Sequence, residues 1–134
     1  MREETTEWLM AASEDFDAAQ VLFDAAQYHA MALHAQQSVE KALKGLLVER
    51  TGELPARTHD LRRIGTEVGT PAGMLSRLVE LYAYYLAGRY PGTAHGDAQI
   101  RAREEATAAI ATARETLAWT RAQLAITGHE QASA

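Results

Sequence analysis

Residues 28–50 read YHAMALHAQQSVEKALKGLLVER, a stretch with no Gly until position 45 and no Pro. Ala32, Ala35, Val39, Leu43, Leu46 and Leu47 recur in steps of three and four along it. That period draws one apolar stripe on a helix and nothing on a strand. Gly52 and Pro55 then mark a loop. Upstream, Trp8, Ala12, Phe16, Ala19, Leu22, Phe23 and Ala26 repeat the pattern, which predicts a helix from about Thr6 to Ala26. Glu7, Glu14, Asp17 and Asp24 lie mostly off that stripe. The join near Gln27 contains neither Gly nor Pro and is placed by the slip in phase alone.

Downstream, Thr58 is a candidate N-cap for a short helix holding Leu61, Ile64 and Val68, ended by Gly69. Thr70-Pro71 starts a fourth helix, with Leu75, Leu78, Val79, Tyr82, Tyr85 and Leu86 on its apolar side. Gly88, Pro91, Gly92 and Gly96 form a cluster of breakers. Asp97 can cap a last helix from about Ala98 to Ile126, whose stripe is Ile110, Ala113, Leu117 and Leu124. Nothing alternates with period two. The expected fold is all-α: an up-and-down bundle of about five helices with two long antiparallel helices at its centre. One domain accounts for residues 1–134, with an ordered core over about 6–127 and frayed ends at 1–6 and 128–134.

Composition narrows the chemistry. Of 134 residues 27 are Ala, against 3 Pro and 9 Gly, which suits helices. There is no Cys, so disulfides, thiolate zinc sites, iron–sulfur clusters and cysteine nucleophiles are excluded. A net charge of −5 argues against coating duplex DNA, where affinity comes from neutralised phosphates. The opening MREETTEW has no apolar core of a signal peptide, and no apolar run reaches the ~20 residues of a membrane span, so a cytoplasmic protein is expected. No Glu-x-x-His occurs, and His29 and His34 are roughly 140° apart on a helix, so no metal and no cofactor is expected. Walker, G-x-G-x-x-G and G-x-S-x-G motifs are absent.

Four polar features remain. The only two lysines, Lys41 and Lys44, lie on the second helix, where Glu40 and Lys44 have the spacing of a favourable i,i+4 pair. That run is either a solvated face or a cleft offering cations to an anion. Arg57, His59, Arg62 and Arg63 crowd the start of the third helix, where a helix N-terminus also favours anions, although a capped turn explains the same pattern. Tyr82, Tyr84, Tyr85 and Tyr90 could stack on bases, but at helical spacing with Leu78 and Leu86, Tyr82 and Tyr85 read as core. Finally, Arg89-Tyr90-Pro91-Gly92-Thr93-Ala94-His95 places a fixed cation at the end of one helix and a histidine just before the next. Arg suits a phosphate and His moves protons near neutral pH, a pair fitted to RNA cleavage by the ribose 2′-hydroxyl.

Taken together, Trp8 on an acidic amphipathic helix, Gln36 through Lys44, Thr58-His59-Asp60-Leu61 and Tyr85 through Arg89-Tyr90-Pro91 resemble the HEPN domain family over roughly residues 6–126. The resemblance implies a homodimer with a polar cleft at its interface, and in many members a minimal nucleotidyltransferase partner, as toxin and antitoxin. It also implies a metal-independent ribonuclease built on Arg, four to six residues, then His; Arg89 and His95 have five between them. Active members usually carry a polar residue after the Arg, where this chain has Tyr90, and some carry a Tyr shortly after the His, where this chain has Gly96 and Asp97. Two functional expectations follow, with Arg89 and His95 as catalytic residues in the first. One is a dimeric ribonuclease acting on single-stranded RNA. The other is a non-catalytic module that binds a nucleotide or a partner through Lys41, Lys44, His59 and the Arg89-Tyr90 segment. A purely structural helical dimer is the third and plainest reading.

Overall fold

The computed structural model describes residues 1–53, 55–88 and 97–133, with side chains over 1–53, 55–87 and 102–127. Five helices follow one another: α1 (Glu3–Asp24), α2 (Tyr28–Thr51), α3 (Leu61–Val68), α4 (Ala72–Gly88) and α5 (Asp97–Ser133). The described residues include no strand.

Long-range pairs set the directions. Arg2 at the start of α1 bonds Glu49 near the end of α2, so these two helices run antiparallel. Arg114 reaches Gln20 and Arg121 reaches Ser13, which sets α5 antiparallel to α1. Arg77 on α4 pairs with Glu115 on α5 at 3.1 Å. The bundle is up-and-down, with α2 in the middle, packed on every other helix.

The join between α1 and α2 explains why the sequence carried no breaker there. Ala26 adopts φ 57°, the left-handed conformation usually left to Gly. Its N–H donates to Phe23 O, and the Gln27 N–H donates to Leu22 O. This is a Schellman turn closed by an alanine, at the steric cost a Cβ brings to that region. Gly69, at φ 82°, closes α3 with the same two bonds, as expected from the sequence.

The core is built from Met31, Leu43, Leu46, Leu61, Ile64 and Leu78, each 1% exposed or less. Small residues bring the helices close: a Cβ on Gly45 would sit 3.0 Å from Trp8 Cβ.

The structure corrects several expectations. The α3 cap is Asp60, whose side chain accepts from the Arg62 N–H at 3.0 Å. Thr58 instead accepts from the Asp60 N–H at 3.1 Å, making the turn before the helix. Val79 is 39% exposed, and Met74 and Leu81 take the buried positions. The ends are longer than expected. Helix α1 starts at Glu3, where the Arg2–Glu49 bonds hold it down, and α5 continues to Ser133.

Candidate functional site

Asp15 and Glu40 are both nearly buried carboxylates, and each holds one lysine and one histidine. Asp15 sits on the packed side of α1, three residues after Ala12 and four before Ala19. Its Oδ2 accepts from Lys41 Nζ at 2.6 Å, and its Oδ1 meets His34 Nδ1 at 3.0 Å. Glu40 repeats the arrangement on the α3 side of α2. Its Oε2 accepts from Lys44 Nζ at 3.0 Å, and its Oε1 meets His59 Nδ1 at 2.8 Å. The Gln36 amide donates to the His59 carbonyl at 2.8 Å, so residue 59 is anchored through side chain and backbone alike.

The chemistry of each cluster follows from its acceptors. A carboxylate oxygen only accepts, so in each cluster the imidazole Nδ1 is the donor. The two lysines are already matched with carboxylates, and each carboxylate gathers one lysine and one imidazole. The Glu40–Lys44 pair expected from i,i+4 spacing is present, but buried: the two side chains are 10% and 9% exposed. A solvated face is therefore the wrong description of that run. The His59 side chain is 77% exposed, so its ring stands at the surface while its partner lies beneath.

Spacing alone pairs Glu40 with Lys44 and weighs His34 only against His29 as a metal ligand; Asp15 and the anchoring role of Gln36 go unnoticed in it. The signal for Asp15 was its place within the apolar stripe of α1, where a carboxylate must find partners. Arg62 and Arg63 are exposed on the first turn of α3. Tyr82 packs against the core and Tyr85 stacks on it, with ring centroids 6.4 Å apart. Arg89, Tyr90 and His95 lie outside the described residues. Among the described residues, no group of three or more His, Asp and Glu could hold a metal ion, and no helix is long and apolar enough to cross a membrane.

Comparison with known proteins agrees with this architecture. The HEPN domain family matches residues 5–123. TT1696 from Thermus thermophilus superposes with a TM-score of 0.76 at 28% identity, covering 90% of this chain and 98% of that one. ST0689, an archaeal HEPN homologue, superposes with a TM-score of 0.69 at 26% identity, covering 92% of this chain and 98% of that one. Among curated proteins none matches. The family match spans nearly the whole bundle, from the first turn of α1 to the last third of α5, and this chain belongs to the HEPN domain family.

Proposed function

We propose that this protein is a cytoplasmic, homodimeric, metal-independent ribonuclease of the toxin-like kind, acting on single-stranded RNA through Arg89 and His95. The observation that carries the reading is the Arg-x5-His spacing within a HEPN domain. Arg89 directly follows the last residue of α4, and His95 stands two positions before α5 begins. Both residues thus fall in the stretch of sequence between α4 and α5. In the proposed reaction His95 takes the proton of a ribose 2′-hydroxyl. The 2′-oxygen forms a bond to phosphorus, and the 5′-oxygen leaves and is protonated, giving a 2′,3′-cyclic phosphate. Arg89 binds the phosphate and stabilises its charge in the transition state. A minimal nucleotidyltransferase is the proposed partner.

The test is incubation with a labelled single-stranded RNA in EDTA. Wild type should cleave, and Arg89→Ala and His95→Ala should not. Cleavage unchanged in both variants overturns the mechanism.

A second reading is a non-catalytic module that binds a nucleotide or partner. It is favoured by Tyr90, which follows Arg89 where a polar residue is usual in active members. The His59 ring, exposed over a buried Glu40–Lys44 pair, would be one ligand group, with Lys41, Lys44 and Tyr90 as others. Calorimetry with nucleotides decides it: saturable binding weakened by His59→Ala supports the module, and no binding removes it.

A further inference from the structure

A capped turn accounts for Thr58 and Asp60 before α3, but not for the arginines around them. Asp60 caps the helix through the Arg62 N–H, and Thr58 closes the turn. Arg57, Arg62 and Arg63 are exposed. None of their guanidiniums joins a hydrogen bond or ion pair among the described residues. By contrast, the guanidiniums of Arg2, Arg50, Arg77, Arg114 and Arg121 each reach another helix. Leu61, Ile64, Gly65 and Val68 turn inward and leave Arg62, Arg63, Thr66 and Glu67 facing out. Glu67 lies a turn beyond Arg63 and pairs with no cation among the described residues, and the Asp60 carboxylate serves the cap. Charge is therefore segregated: α1 carries seven acidic residues and no Lys or Arg, whereas residues 57–63 carry three Arg and His59 against Asp60 alone.

We propose that this face, from Arg57 to Arg63, is a docking surface for the backbone of single-stranded RNA. A guanidinium is planar, permanently charged and matches two phosphate oxygens at once. His59 adds a ring that is 77% exposed, on which a base can stack. That ring does not wander: its Nδ1 is bonded to the nearly buried Glu40, and the residue's carbonyl to Gln36, itself 1% exposed. Lys41 and Lys44 are spent on Asp15 and Glu40, so the phosphate-binding cations on this side of the bundle are the arginines. Three of them suit a few phosphates of a strand, which agrees with a chain whose net charge is −5. The ligand is taken from the RNA reading above, but Arg89 and His95 play no part in the surface.

The experiment is fluorescence anisotropy of a labelled 2′-O-methyl RNA strand titrated with the full chain at several salt concentrations. That strand has no free 2′-hydroxyl and cannot be cut by the proposed route, so binding is read apart from cleavage. Wild type should bind saturably and more weakly as salt rises. Each phosphate contact to a single strand adds about 0.7 to the steepness of log K against log salt, so Arg57→Gln/Arg62→Gln/Arg63→Gln should lower it by about 2 and weaken binding about tenfold or more. Arg77→Gln/Arg114→Gln/Arg121→Gln removes the same charge from arginines already bonded to neighbouring helices and should bind as wild type. Three results overturn the proposal: no saturable binding; equal weakening by the second triple variant, which would make the effect one of net charge; or a salt dependence that the first triple variant leaves unchanged. Ordinary RNA left uncut while this arginine-dependent binding persists would overturn the ribonuclease reading and leave the docking surface standing.

Discussion

Glu40 Oε1 and His59 Nδ1 lie 2.8 Å apart, although 19 positions separate them in the chain. The bond ties the segment before α3 to the centre of α2. Because Glu40 also holds Lys44, the carboxylate is the hub of a nearly buried network.

Removing that hub should be costly. Glu40→Ala leaves the Lys44 ammonium 9% exposed with its counter-charge gone, a loss of about 3 kcal/mol or more by analogy with other broken buried pairs. Glu40→Ala/Lys44→Met removes both charges and should recover much of it. Urea unfolding of the three proteins measures this. Equal stability of the single variant and wild type would mean that water already satisfies Lys44.

Gly65 within α3 and Gly69 at its C-cap should resist substitution for different reasons. A Cβ on Gly65 would lie 2.9 Å from Leu78 Cδ1 and 3.0 Å from Leu75 Cδ1, so Gly65→Ala must push two packed leucines apart. Overpacking costs about 1–3 kcal/mol, against about 1 kcal/mol regained in helix propensity. Gly69 has open space around it but a φ of 82°, so Gly69→Ala costs about 1 kcal/mol through backbone strain alone. Gly69→Asn should recover part of that loss, because Asn tolerates the left-handed region, whereas Gly65→Asn should be worse than Gly65→Ala. Thermal melting of the four variants separates clash from strain.

Ala26 reverses the sign. It occupies the left-handed position of the α1–α2 turn at φ 57°, so Ala26→Gly relieves a Cβ penalty of about 1–2 kcal/mol while giving the unfolded chain more freedom. The net expectation is a gain of up to about 1 kcal/mol, read from the denaturation midpoint. A loss would mean that the turn relies on alanine's stiffness.

These turns also show what the sequence could convey. Helix α2 was legible because its stripe is long and Gly52 stops it; the α1–α2 join had only a phase slip, since an alanine plays the part of glycine. Thr58 and Asp60 are both good caps, and the choice between them depends on where α3 docks, not on local preference. Val79 fits the period of α4, but Met74 and Leu81 face the core once α3 and α5 set the helix's rotation. In the site, Glu40–Lys44 was legible because the pair is local. Asp15–Lys41 spans 26 residues and His59–Glu40 spans 19, and such pairs exist only after helices have packed.

Tyr84 supplies the pH prediction. Burial, and then the negative charge of Glu105, push its phenol up to about 12 from an ordinary value of 10.0. The folded state therefore holds the proton after the unfolded chain has released it. Wherever the native state binds more protons, stability falls as pH rises. Stability from this group is thus intact below pH 10 and declines between about 10 and 12. Tyr84→Phe cannot ionise, so the difference in stability between wild type and this variant should shift in the variant's favour across that window. Phenolate absorbance titration checks the cause. The late-titrating phenol should vanish in Tyr84→Phe and titrate earlier in Glu105→Gln. If wild type and Tyr84→Phe lose stability in parallel from pH 10 upward, the phenol is better solvated than its place beside Glu105 implies.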